Sequence, residues 1–200
     1  MADLTAVHEI CGRLDRGEID RNEFLEELTR GMAALLGCSR CAVRLLVHRM
    51  SGPALRTLSL YDAAAGRSRP APDMRGAGSA AYLDALLREG AVVASDVATH
   101  PLLAPFVHGY FEPQDVRSLL DVGFSVNGVL YGAFGCEQVG DTVAWTQAQV
   151  NLMRQISARA SLAVMHALNA EIDTTPGALW EPSTPNRLNT MPMPLDDDES

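Results

Sequence analysis

Cys38 and Cys41, in the run Cys-Ser-Arg-Cys, form the tightest grouping of reactive side chains in this 200-residue chain. The spacing suits a redox dithiol or half of a zinc site. A closed zinc site needs four donors, and the next one along is His48. If 41–48 is a strand, Cys41 and His48 are seven residues apart and point to opposite faces, which argues against shared coordination. The plainer alternative is a pair of small apolar residues where a helix meets a strand. Cys136 stands apart, late in an apolar run. The chain has no apolar leader-like segment, so its four cysteines are expected to be mainly free thiols in a cytosolic protein.

Other candidates lie further along. A connector over 96–115 collects His100, Phe106, His108, Tyr110 and Phe111. Asp121 interrupts an apolar run, where an unpaired carboxylate is costly to bury. Alternation puts Ser118, Leu120 and Val122 on one face and Arg117, Leu119 and Asp121 on the other. Asp121 therefore either meets solvent or has a partner, and Arg117 is the nearest candidate.

Several chemistries are excluded. The chain has no lysine, and its 16 basic residues are all arginine. This removes a Schiff-base lysine, a lysine general base and a Walker-type phosphate loop. A net charge of −9 without a basic cluster argues against nucleic acid. Arg67, Arg69 and Arg75 are broken up by Asp73 and prolines and read as a solvated loop. His8-Glu9 lacks the second histidine of a zinc protease. Gly76-Ala77-Gly78 is too short for a phosphate loop, and Glu26-Glu27 reads as a solvated helix face. No Gly-x-Ser-x-Gly elbow occurs, and no run reaches membrane-spanning length.

The elements that must position these groups follow from periodicity. Leu4, Val7, Cys11 and Leu14 give a seam on a helix over roughly 3–16. A second helix begins after Asp20, with Glu23 completing a capping box, and ends at Gly37. Residues 41–48 and 54–61 read as strands, where Arg44 and Arg56 predict one partly wet face. An Ala/Gly/Pro/Arg-rich loop over 62–78, with room for a weak edge strand, a helix over 79–90 and a short buried strand over 91–95 follow. Strands over 117–126 and 129–137 flank Asn127-Gly128, a pair suited to the positive φ of a type I′ turn. Thr146 and Gln149 cap a helix reaching about residue 171. Its Met153, Ile156, Ala160, Ala163 and Ala167 form a small-residue seam that lets another helix approach closely. Residues 173–200, with five prolines and a terminal acidic run, are expected to be a disordered tail.

In this order the stretch from Ala91 to Leu168 resembles a GAF domain. The resemblance is carried by VVASDVATHPLL, by RSLLDVGFSVNGVLYGAFGCEQVG and by AWTQAQVNLMRQISARASLAV. In detail it is similar to GAF domains that precede bacterial cyclases and histidine kinases. It implies an α+β sandwich: an antiparallel sheet of about six strands, terminal helices on one face and a roofed pocket on the other. The domain would span 20–172, with 1–19 as a dimerising helix. Tyr82, Asp96, His100, Phe106, His108, Tyr110, Phe111, Arg117 and Asp121 become candidate ligand contacts. The two helical seams become the surface of a homodimer. Neither the cyclic-nucleotide signature nor the cysteine-bearing connector of bilin-binding members has a counterpart here.

The implied function is non-catalytic: sensing a small molecule, unnamed by the sequence, and signalling through the terminal helices to a partner protein. No cofactor is specified, and no membrane or nucleic-acid partner is implied. An alternative is a thiol enzyme or redox sensor, similar to the free methionine sulfoxide reductases of the family, using Cys38/Cys41 or Cys136. A third is a scaffold kept for dimerisation, which a pocket filled by Phe106, Tyr110 and Phe111 would favour.

Overall fold

A computed structural model describes residues 4–50, 52–76 and 79–172, with side chains to residue 168. The proposed tail, 173–200, lies outside the described residues. Helix α1 (Thr5–Asp15) leads into α2 (Arg21–Leu36). The Asp20 side chain accepts a hydrogen bond from the Glu23 backbone N–H at 2.9 Å, satisfying one of the unpaired donors that open a helix. Gly37, with φ 63°, closes α2 in the left-handed conformation that glycine adopts without strain. Seven strands follow: β1 (Arg40–Arg49), β2 (Gly52–Asp62), β3 (Arg67–Ser68), β4 (Met74–Arg75), β5 (Ala91–Ala94), β6 (Val116–Val126) and β7 (Val129–Val139). Between them lie α3 (Ala80–Arg88) and a roof segment, a 3₁₀ turn over Pro101–Phe106 running into a π turn over Val107–Phe111. Helix α4 (Gln147–Ile172) completes the described chain. Thr146 and Gln149 cap it reciprocally: the Thr146 N–H donates to Gln149 Oε1 at 2.9 Å, and the Gln149 N–H to Thr146 Oγ1 at 3.2 Å.

The strands form one antiparallel sheet in the order β3-β2-β1-β7-β6-β5, with β4 also paired to β2. Asn127 (φ 52°) and Gly128 (φ 78°) take the positive φ values that the Asn-Gly pair predicts. Alternation along each strand divides the core in two. On one face α1, α2 and α4 bury Phe24, Leu28, Met32, Met153 and Ile156 against Val43, Leu120 and Phe134. On the other, α3 and the roof bury Tyr82, Leu86, Leu103, Phe106, Tyr110 and Phe111 against Leu119 and Ala133. Burying each leucine, valine, methionine, isoleucine or phenylalanine among these stabilises the fold by roughly 1.5–3 kcal/mol.

The terminal seams lie inside one chain. Val7, Met153, Ile156 and Ala160 are fully buried, Leu4, Ala163 and Ala167 nearly so, and Cys11 and Leu14 are half-buried against the same helix-side core. The small residues of α4 thus serve contacts with α1, α2 and the sheet. The expectation of a wet face on β1 is corrected by Arg44. Arg56 is exposed, but Arg44 is completely buried among polar groups of the roof side.

Candidate functional site

On the roof side of the sheet, a set of ionisable groups is closed off from water. Arg44, Tyr82, Tyr110, Asp121 and Glu137 are all 0% exposed. Each comes from a different element: β1, α3, the roof, β6 and β7. Arg44 Nη2 donates to Glu137 Oε1 and, at 2.8 Å, to the Tyr110 hydroxyl. That hydroxyl donates onward to Glu137 Oε1 at 2.8 Å. Arg44 Nη1 lies 3.4 Å from Asp121 Oδ1, and the Tyr82 hydroxyl donates to Asp121 Oδ2. Asp121 thus has partners, but Arg117 is not one of them; exposed at the strand's start, Arg117 pairs with Asp115 at 2.7 Å.

Strand register builds this set. Asp121 pairs with Gly135, and Gly135 pairs on its other side with Ala42, two residues before Arg44. A Cβ at position 135 would lie 2.2 Å from Arg44 Nη1 and 2.5 Å from Asp121 Oδ1. Glycine is therefore what lets the guanidinium cross β7 to reach Asp121. Burial pushes the Asp121 carboxyl up to about 6, against the pull of Arg44 and Tyr82. Burial likewise raises the Tyr82 and Tyr110 hydroxyls, so both remain protonated donors. Two atoms of the set are unsatisfied: Arg44 Nε, a donor, and Glu137 Oε2, an acceptor, are buried with no hydrogen-bond partner among the described residues.

The roof covers this network with aromatic rings. Tyr82 and Phe106 pack edge-on with centroids 5.1 Å apart, Phe106 and Phe111 at 6.3 Å, and Tyr110 and Phe111 at 5.5 Å. Tyr82, Phe106, Tyr110, Phe111 and Asp121 are therefore brought together. Asp96, His100, His108 and Arg117 are not part of the network. Asp96 accepts from the Ala98 N–H and the Thr99 hydroxyl, shaping the turn after β5. His108 is exposed and bonded to Glu112 at 2.7 Å. His100 is half-buried before the roof, its Nδ1 without a partner among the described residues. An open groove of about 330 Å³ lies elsewhere, between α2 and β2 near Asn22, Ser59 and Arg69.

Arg44 and Glu137 are the members that sequence reasoning missed. The available signal was alternation: Arg44 falls on the roof face of β1, and Glu137 falls on the face of β7 that also carries Ala133 and Gly135.

Cys136 pairs with Cys41 across β1 and β7, and Cys38 follows the α2 cap. The Cys38–Cys41 sulfurs are 3.3 Å apart and the Cys41–Cys136 sulfurs 3.1 Å apart. Hydrogen bonds from Cys136 and Cys41 pull the Cys38 thiol down, while burial holds the other two up. The three sit on the helix-side face, away from the charged network.

The GAF domain family model matches residues 20–164. No curated protein matches the sequence. Among solved structures, the blue-light absorbing form of the Thermosynechococcus elongatus PixJ GAF domain is similar at a TM-score of 0.59. It is 18% identical, over 77% of this chain and 91% of that one. The phycocyanobilin-bound GAF domain of a cyanobacterial phytochrome gives a TM-score of 0.61 and 15% identity, over 83% of this chain and 95% of that one. The Stigmatella aurantiaca phytochrome photosensory core module gives 0.62 and 14%, over 86% of this chain and 38% of that one.

Proposed function

The chain belongs to the GAF domain family, and from that premise we propose that it is a sensory module whose small-molecule site is the buried network of Arg44, Tyr82, Tyr110, Asp121 and Glu137. The observation that carries this reading is the unsatisfied pair, Arg44 Nε and Glu137 Oε2. Burying a donor and an acceptor without partners costs on the order of 1–3 kcal/mol each, and a polar ligand would recover that energy. Two carboxylates against one guanidinium leave a formal charge of −1. The ligand class is therefore a small molecule with a protonated amine or similar donor for Glu137 and an acceptor for Arg44 Nε. Some structural neighbours hold bilins. Here the 96–115 connector has no cysteine and aromatic rings fill the space below the roof, both of which support a much smaller ligand.

Access requires the roof to lift, and its short 3₁₀ and π turns suit that role. A signal would cross the sheet by alternation. Asp121 faces the ligand while its neighbours Leu120 and Val122 touch the helix-side core with Met153 and Ile156 of α4. Binding would favour one helix arrangement by differential affinity. In this reading, a homodimer forms on the outward face of α4, where Leu162 is 68% exposed, and presents that change to a partner protein.

The packed roof aromatics also favour a second reading, a scaffold kept for dimerisation. A thermal-shift panel of amino acids, amino alcohols, diamines and dicarboxylates separates the two. The sensory reading predicts that amine-bearing compounds raise the melting temperature of the wild type and leave Glu137→Gln unmoved. No shift from any compound would favour the scaffold.

A further inference from the structure

The three clustered thiols stand apart from the network and have no role in the reading above. We propose that Cys38, Cys41 and Cys136 form a buried site for a thiophilic ion bound by three sulfurs, and that trivalent arsenic, taken up as arsenite, is the ion class that fits best.

The geometry gathers three sulfur donors into one small cluster. Their sulfurs all lie within 4.8 Å of one another, and all three residues are buried. They are held by rigid parts: two directly paired strands and the cap of α2. Cys38 and Cys41 have the two-residue spacing of a chelating pair. Cys136 supplies the third sulfur from 95 residues away in the chain.

Coordination number and charge then choose among ions. No fourth histidine, cysteine or carboxylate joins the group among the described residues. Cys41 and Cys136 are 0% exposed, so water is not at hand to supply a fourth ligand. Zinc prefers four donors, and a tetrahedral zinc site with Zn–S of about 2.3 Å holds its sulfurs about 3.8 Å apart. The Cys38–Cys41 and Cys41–Cys136 separations, 3.3 and 3.1 Å, are tighter than that. A trivalent ion with a lone pair takes three sulfurs on one side in a pyramid and leaves the fourth direction empty.

Charge points the same way. The cluster lies in an apolar core beside Leu36 and Val43, where an uncompensated charge is costly. Three thiolates with a monovalent ion carry −2 and with a divalent ion −1. With a trivalent ion they are neutral. The reaction balances without an oxidant: three As–O bonds of arsenous acid break and three As–S bonds form. Each thiol proton leaves with a hydroxide as water, and neither arsenic nor sulfur changes oxidation state.

The test uses the full chain, reduced and then treated with sodium arsenite. Native mass spectrometry is expected to find one arsenic per chain with loss of three protons, and X-ray absorption a shell of three sulfurs. The Cys11→Ser variant, altered outside the cluster, should keep the adduct, and Cys136→Ser should lose it. If Cys136→Ser does not fold, the sulfur count in the wild type decides alone. No arsenic adduct, a two-sulfur shell, an adduct persisting in folded Cys136→Ser, or zinc displacing arsenite at equal concentration would each overturn the assignment.

Discussion

Arg44 lies across Gly135: the guanidinium occupies the space that any side chain at position 135 would fill, 2.2 Å from where a Cβ would stand. The two residues are on adjacent strands, and the ion pair with Asp121 exists because the second has no side chain. Gly135→Ala is therefore expected to displace the guanidinium and destabilise the fold by about 1–3 kcal/mol, the usual cost of overpacking a filled core. Denaturant unfolding measures it. An unchanged midpoint would mean that Arg44 does not sit there.

Removing the cation leaves two carboxylates facing each other in the dry interior. Arg44→Met should cost about 3–5 kcal/mol, the penalty for breaking a buried pair from one side. Adding Asp121→Asn should recover part of the loss, because the second change removes one of the stranded charges. Strict additivity of the two in urea unfolding would show that the groups do not interact.

Asp121 also makes a prediction about pH. Its carboxyl is raised from 3.8 to about 6 by burial, so the folded state favours its protonated form. Its contribution to stability is fully present below pH 4 and is lost as pH rises through about 6. By linkage, a shift of this size corresponds to roughly 3 kcal/mol. Asp121→Asn should therefore gain on the wild type as pH goes from 4 to 7. Melting curves of both proteins across that range check the sign. A variant that loses ground to the wild type as pH rises would show that the ionised form is favoured instead.

Much of this architecture could be read along the chain. The Asn127-Gly128 turn, the Asp20 and Thr146 caps and the order of the longer elements rest on local chemistry and are present as expected, whereas the stretch 62–78 also carries the two short strands β3 and β4, both paired to β2. The sandwich itself follows from alternation, which assigns each strand one helix face and one roof face. The site was only half legible. Asp121 stood out as a lone acid in an apolar strand, yet its partners come from 77 and 39 residues away, so no local spacing could name Arg44 or Tyr82. Arg117, the nearest cation in sequence, sits at the strand's exposed start and pairs locally instead. The cysteines show the same limit. The Cys38/Cys41 spacing was visible, but the third sulfur became a neighbour only through the pairing of β1 with β7.

Calorimetric titration tests most directly whether the roofed network is a ligand site, using the amine-bearing compound that most raises the melting temperature. Wild-type protein should bind it with one site per chain. Glu137→Gln and Tyr110→Phe, each weakening a bond made by or to a charged group worth about 1.5–3 kcal/mol, should bind it roughly tenfold to a hundredfold more weakly. Equal affinity in all three proteins, or no heat of binding from any compound in the panel, would contradict the account.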